Sequence, residues 1–189
     1  MTDSSSKSNS GPSRRARQSV INLALSLAAT VGVVLLLVLG VPRDDSSRLL
    51  RVDYVAEAAA AAEVLGNPVA APTLPDGWWS NSARLETSEG VTSWYVGFVT
   101  PNNQYIGIRQ TYEPNPTWVA LQLAGNGKAE IIQIAELDWE YWPTLNPSNP
   151  PGTRERALLH LSDSVAVVIF GTAGWSELEF IAELVAEDL

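Results

Sequence analysis

An uncharged block from Val20 to Val41, VINLALSLAATVGVVLLLVLGV, limits what this chain can fold into more than any other stretch. A helix of these 22 residues spans about 33 Å, which exceeds the hydrocarbon core of a bilayer, about 30 Å. In lipid, a helix is the form in which a single segment satisfies its own backbone hydrogen bonds. The block therefore predicts a transmembrane helix at residues 20–41.

The flanks of the block favour a retained anchor over a cleaved signal peptide or a buried helix of a soluble domain. A cleaved signal has an apolar region of about 7 to 15 residues and a small-x-small cleavage site, and Leu39–Pro42 offers no good site. Both sides are charged: Arg14, Arg15 and Arg17 precede the block, and Arg43, Asp44 and Asp45 follow it. Because positive charge marks the cytoplasmic side, we expect a disordered cytoplasmic tail at residues 1–19 and an extracytoplasmic C-terminal domain in a single-pass protein of the cell membrane.

Charge and composition exclude several classes of function. Residues 46–189 carry seven basic and 18 acidic side chains, and such an acidic body repels phosphate backbones, so we exclude nucleic acid as a partner. The sequence has no cysteine and one histidine, which excludes disulfides and zinc sites built from several His or Cys. We expect neither a metal nor a cofactor.

The residues after the block predict an α+β domain, in which a mainly antiparallel sheet of about six strands carries a C-terminal helix. Residues 42–82 are predicted to be a membrane-proximal linker with an alanine-rich helix, capped by Asp53 and ended by Gly66, and a proline-rich connection. The extracytoplasmic domain is predicted at 83–189. Its strands are expected at 83–89, 91–99, 104–112, 129–143, 154–161 and 165–170. A bulge or break is expected near Ala135 in the fourth of them. A short helix is expected at 115–125, and an amphipathic helix capped by Ser176 and Glu179 is expected at 171–189.

Two groups of polar residues are candidates for catalysis. The lone histidine, His160, is expected to be a surface or satisfied strand residue, because Asp163 and Ser164 lie too close to it along one hairpin to complete a triad. Asp138 and Glu140 share a strand face with Glu136 at intervals of about 7 Å. We expect this row to be a solvated acidic face, with an acid and base pair as the enzymatic alternative.

Trp78 and Trp79 are the candidate ligand-binding residues. They are adjacent in the loop PDGWWSNS, so in extended chain their rings point to opposite sides. An exposed indole near a membrane can stack on a sugar ring or lie among lipid headgroups, although packing of the loop on the sheet is the default expectation. Three further tryptophans are expected in the core: Trp94, Trp139 and Trp175.

Several segments follow one another in an order that is more specific than any one of them. A basic tail and a single apolar block precede LPDGWWSNSAR (74–84), WYVGFVTPNNQYIGIRQ (94–110), a short helix with Trp118, and GTAGWSELEFIAELV (171–185). In this order, over most of residues 20–187, the chain resembles an actinobacterial family catalogued as domain of unknown function 4245. The resemblance implies a single-pass membrane protein with an extracytoplasmic domain, and it brings no catalytic residues.

The sequence therefore predicts a membrane-anchored extracytoplasmic domain that works by binding, without catalysis. Its expected partners are the lipid bilayer, through residues 20–41, and an envelope protein or a cell-wall component. Two alternatives remain open: a hydrolase acting on cell-envelope polymers through Asp138 and Glu140, and a structural subunit of a membrane complex.

Overall fold

The computed structural model describes residues 14–40, 51–148 and 152–189. The chain divides into two compact units, Met1–Arg48 and Leu49–Leu189. In the first unit, helix α1 spans Arg14–Gly40, and its apolar side chains between residues 21 and 34 are exposed. The predicted tail over 1–13, Val41 at the end of the predicted membrane span, and the predicted linker over 42–50 lie outside the described residues.

Among the residues that the structure describes, no helix has both the length and the apolar character that crossing a membrane requires.

In the second unit, helix α2 (Tyr54–Leu65) has the ends that the sequence predicts. The Asp53 carboxylate accepts a hydrogen bond from the Ala56 amide at 3.2 Å, and Gly66 ends the helix in the left-handed conformation with φ 70°. Ala58 and Ala61 are buried, and the helix packs on the first two strands of the sheet. Small side chains at these positions let the helix lie close to the sheet.

Within the described residues, one antiparallel sheet of seven strands forms the centre of the second unit. The strands lie in the order β1-β2-β3-β7-β6-β5-β4 and span Trp79–Ser88 (β1), Val91–Val99 (β2), Tyr105–Thr111 (β3), Glu130–Ile134 (β4), Leu137–Pro143 (β5), Arg156–Leu161 (β6) and Ala166–Gly171 (β7). All six residues of β7 are buried in the middle of the sheet, which confirms the expected central strand covered on both faces.

The α+β class is confirmed, but the predicted count of about six strands is wrong. The stretch 129–143 is a hairpin of two strands, because Ala135 and Glu136 form a two-residue turn with φ 49° and 66°. A two-residue turn with both φ positive matches the twist of the strands that it joins. Asn-Gly or Asp-Gly usually marks such a turn, so Ala-Glu does not predict a hairpin. Of the two alternatives predicted near Ala135, a bulge or a break, the structure has the break.

Helix α4 (Trp175–Ala186) covers one side of the sheet together with α2, and we call this side the α4 face. Leu178, Ile181, Ala182 and Val185 are buried at the predicted helical spacing, which confirms the amphipathic C-terminal helix. Two details of the prediction are wrong. The helix is capped at Gly174, whose amide donates to Glu177, instead of at Ser176, and Trp175 in the first turn is 39% exposed.

Helix α3 (Pro116–Gln122) lies on the opposite side, which we call the α3 face. Asn115 caps the helix by accepting a hydrogen bond from the Trp118 amide at 2.8 Å, and Pro116 occupies the first turn, where its missing N–H costs nothing. Seven residues cover only part of this face. The α3 face is therefore the side of the sheet on which strand side chains remain accessible.

Candidate functional site

A groove of about 930 Å³ runs beside α3 on the α3 face of the sheet, and we call it the α3 groove. One wall is the helix itself, through Val119 and Ala120, and the floor is formed by Leu159 of β6 and Trp142 of β5. Sites of small ligands in proteins commonly enclose about 300 to 1,000 Å³ and are lined mainly by apolar side chains. The groove has the volume and the lining of such a site.

The wall of the groove is fixed by Trp118, the fully buried anchor of α3. Its ring packs with Tyr95, Val168 and Leu159 in the apolar cluster of the α3 face. A large side chain contributes about 1.5 to 3 kcal/mol when it is fully buried, and this contribution holds a helix too short to be stable alone. Ala120 and Leu121 of the same helix are exposed.

The open edge of the groove leaves apolar surface in water. Leu161 at the end of β6 lines the groove and is 52% exposed. Ile131 of β4 belongs to the same row across the α3 face, because it pairs with Glu140, which in turn pairs with Leu159. Ile131 is also exposed. Exposed apolar side chains next to a concave site are typical of a surface that binds something.

The only charged side chains among the lining residues that the structure describes are two carboxylates, Glu140 and Asp163. Glu140 forms an ion pair with Lys128 and accepts a hydrogen bond at 3.1 Å from the Trp142 indole N–H. These two contacts fix the Glu140 carboxylate and the Trp142 ring in relation to each other. Asp163 lies in the turn that joins β6 to β7.

The structure does not bring the predicted acidic row together as a unit. Glu136 lies in the turn between β4 and β5, and of the remaining two only Glu140 lines the groove. Asp138 is exposed on the strand, as expected of a solvated face. Within the described residues, no group of three or more His, Asp or Glu side chains is placed to hold a metal ion.

His160 lies on β6 with its ring on the α4 face, away from the groove. Its Nδ1–H donates to the backbone carbonyl of Asp138 at 3.0 Å, and its ring centre is 5.5 Å from that of Trp139. A carbonyl partner requires the proton on Nδ1. The arrangement is that of a satisfied strand histidine, as the sequence predicts.

Trp78 and Trp79 are both half-buried, on two different elements of the chain. The Trp78 ring packs against Phe180 of α4, with ring centres 5.9 Å apart, at the edge of the core of the α4 face. Trp79 begins β1 and pairs with Val99. The loop therefore packs against helix α4 through Trp78, and a ligand-binding role for either ring stays a prediction.

Sequence reasoning missed most of the residues that form the groove. Val119 belongs to α3 and Leu123 follows its last residue, whereas Trp142 and Leu159 come from strands that are distant in sequence, and no local pattern joins them. One signal was present: Leu159 and Leu161 alternate on a strand whose other face already carries Leu158 and His160. Apolar residues on both faces of β6 indicate that both faces are partly covered.

The comparisons with known proteins bear on most of the chain. A family model described as "Protein of unknown function (DUF4245)" matches residues 15–185. Searches among curated proteins and among solved structures found no significant match.

Proposed function

The chain belongs to the family of proteins of unknown function DUF4245, and we propose that it acts by binding, without catalysis, through the α3 groove. One observation carries this proposal. Beside α3, a concave and mainly apolar surface of about 930 Å³ stays open to water, with Leu161 exposed along it. Because an open apolar surface costs free energy unless something covers it, a ligand that buries Leu161 and the accessible part of the Trp142 ring gains that free energy on binding.

The ligand that suits the groove has an apolar body and one cationic group. The charged lining residues are both carboxylates, and neither Lys nor Arg lines the groove within the described part of the chain. A protonated amine near Asp163 gains a charge-assisted hydrogen bond, whereas an anion in the same place is repelled. An envelope protein or a cell-wall component that presents an amine next to an apolar group would supply this chemistry.

A set of three small probes tests the ligand chemistry. We expect 2-phenylethylamine to shift the NMR signal of the Trp142 indole N–H in the full chain, 2-phenylethanol to shift it less, and phenylacetate to leave it unchanged. Equal binding of the amine and the acid, or shifts confined to residues outside the groove, would overturn the proposal.

A matched pair of variants tests whether 2-phenylethylamine binds in the α3 groove. Ala120→Phe puts a ring at the wall of the groove and should abolish the shift that 2-phenylethylamine causes. Ala59→Phe makes the same change at an exposed position of α2 and should leave the shift intact. Retention of amine binding in Ala120→Phe would contradict binding in the groove.

A hydrolase acting on envelope polymers is the second candidate, because two carboxylates line the groove. Its predicted pair, Asp138 and Glu140, has a single member there. Glu140 is also engaged through both oxygens, by Lys128 and by Trp142, and these contacts hold the carboxylate in place. If the chain is a hydrolase, Glu140→Gln should abolish release of soluble fragments from purified cell wall and leave binding of 2-phenylethylamine measurable.

We also propose that the domain is tethered to the cell membrane, with its N-terminus in the cytoplasm and its C-terminal domain outside. The support is the sequence: the uncharged block at residues 20–41 and the arginines before it. A reporter enzyme that is active only outside the cytoplasm should work when fused after Leu189 and fail when fused after Ser13. The opposite pattern, or recovery of the chain in the soluble fraction without its first forty or so residues, would refute the tether.

A further inference from the structure

A second polar surface lies on the α3 face, on the half of the sheet formed by β1, β2 and β3. It consists of Arg84 of β1, Tyr95 of β2, Tyr105 and Arg109 of β3, and Arg154 from the segment before β6, and we call it the arginine–tyrosine cluster. None of these five residues lines the α3 groove.

The three guanidinium groups of the cluster converge over two aromatic rings. Arg84 and Arg109 lie 4.5 and 5.1 Å from the centre of the Tyr95 ring. Arg109 and Arg154 lie 5.8 and 5.2 Å from the centre of the Phe170 ring. Cations are held over aromatic faces at such distances, so the rings gather three positive charges on one small area.

Two glycines in the strands below make room for this layer. A Cβ atom at Gly107 would come within 2.6 Å of the Phe170 ring, and one at Gly97 would come within 2.8 Å of the Tyr105 hydroxyl. The rings therefore lie flat on the sheet, and the guanidinium groups lie on the rings. The Tyr95 and Tyr105 hydroxyls hydrogen-bond to each other at the same place.

Positive charge in the cluster exceeds negative charge. Glu86 is the carboxylate of the cluster, and it pairs with both Arg84 and Arg109, the latter at 2.8 Å. Arg154 forms no ion pair with any carboxylate in the described ranges and donates only to the Leu121 carbonyl, at 3.4 Å. Burial, and then the neighbouring Arg109, lower the pKa of Arg154. Three arginines and one carboxylate leave a local excess of positive charge on a chain whose net charge is −9.

Hydrogen-bond donors are also in excess. Gln122 of α3 is 1% exposed, and its Oε1 accepts from Arg109 at 2.7 Å while its Nε2 has no partner among the described residues. The Nε of Arg109 is likewise buried without a partner in the part of the chain that the structure describes. A buried donor without an acceptor costs about 1 to 3 kcal/mol, which an acceptor from a ligand would recover.

We propose that the arginine–tyrosine cluster binds an oxyanion, the carboxylate or phosphate group of a ligand. Arginine presents its donors in a fork that matches both groups, and the tyrosine pair adds one donor beside it, the O–H that is not used between the two hydroxyls. If the arginines served only to cover the aromatic rings, they would need no surplus of charge, and neutral or paired side chains would cover the rings at lower cost.

Titration of the full chain with inorganic phosphate and with acetate tests this proposal, with chloride at matched ionic strength as the reference. We expect phosphate, acetate or both to shift the NMR signals of Arg109 and Tyr105 where chloride does not, and the stronger of the two identifies the class of oxyanion. If neither anion acts beyond chloride, the cluster is a structural cover of the sheet and the proposal is wrong.

Arg154→Gln and Arg51→Gln are the matched variants. Arg154→Gln removes a cation without breaking an ion pair. It should lower the affinity for the oxyanion about tenfold or more, which corresponds to the loss of a hydrogen bond to a charged group. Arg51→Gln, an exposed arginine before α2, should leave the affinity unchanged. If Arg154→Gln folds poorly, the affinity of Arg84→Gln for the oxyanion is measured instead. Unchanged affinity in the folded Arg154 and Arg84 variants would overturn the assignment.

Discussion

Gln110 shows how one polar side chain can fasten an irregular segment to the core. It is fully buried on the α4 face of β3, where its Oε1 accepts from the Ala70 amide at 2.6 Å and its Nε2 donates to the Tyr112 hydroxyl at 3.1 Å. The Trp94 indole donates to the carbonyl of the same Ala70 at 2.9 Å. Two core side chains thus satisfy the backbone of the proline-rich connection, which has no strand partner of its own.

Gln110→Met keeps the size of the side chain and removes its three hydrogen bonds, to Ala70, Pro68 and Tyr112. We expect it to lower the free energy of unfolding by about 1 to 3 kcal/mol, because the Ala70 amide stays buried without an acceptor. Urea unfolding followed by tryptophan fluorescence measures the change. Gln133→Met, at an exposed position of β4, is the control and should change the free energy of unfolding by less than about 0.5 kcal/mol. Equal effects in the two variants would contradict the role of Gln110.

For single residues, the sequence predicts roles that depend on neighbours along the chain. It does not predict contacts that form only when distant strands pair in the sheet. Asp53 and Gly66 could be read as helix ends because each acts within one turn of its own position. The prediction for Trp175 is wrong because helical spacing shows which side of a helix faces the core. It does not show how far along the helix the core extends. The convergence of Arg84, Arg109 and Arg154 depends on the pairing of strands, which no short pattern encodes.

The β4–β5 hairpin is the element in which local sequence and structure disagree most. Its turn places Ala135 and Glu136 in the left-handed region, which costs a non-glycine residue about 1 to 2 kcal/mol. The turn forms nonetheless, because Ile134, Leu137 and Trp139 must reach the core of the α4 face from both strands. Tertiary packing thus overrides turn propensity here.

Replacing Ala135 and Glu136 by Asn and Gly should therefore stabilise the domain by about 1 kcal/mol, since these residues adopt positive φ readily. Thermal unfolding of the double variant measures the gain. Ala59→Gly in the exposed part of α2 changes an alanine where φ is helical, and it should instead destabilise by about 1 kcal/mol. A double variant that is less stable than the original chain would show that the turn is not strained.

For the whole molecule, three tyrosines link stability to alkaline pH. Burial raises the pKa of Tyr54, Tyr105 and Tyr112 above the ordinary value of 10.0, and Tyr95 raises that of Tyr105 further. Below pH 10 the folded and unfolded states both keep these protons, so the free energy of unfolding is unaffected. Above it, the unfolded state releases protons first, and stability is lost as the pH rises.

Tyr105→Phe removes one of the three titrating hydroxyls. The free energy of unfolding should then fall less steeply above pH 10, by up to about 1.4 kcal/mol per pH unit. Urea unfolding at a series of pH values between 8 and 11 measures the two slopes. Below pH 9 the difference between the two proteins should be constant, which separates the lost hydrogen bond to Tyr95 from the titration. Parallel curves above pH 10 would contradict the assignment.

The order β1-β2-β3-β7-β6-β5-β4 means that the last strand to be synthesised joins two hairpin-linked halves. Until β7 pairs with β3, the first half ends in an open edge along Tyr105–Thr111, where another chain can add a strand. A ribosome must therefore deliver the chain as far as Gly171 before either half is protected. Premature termination between Thr111 and Ala166 would leave a fragment prone to aggregate, and a chaperone that shields strand edges would be most useful during that interval.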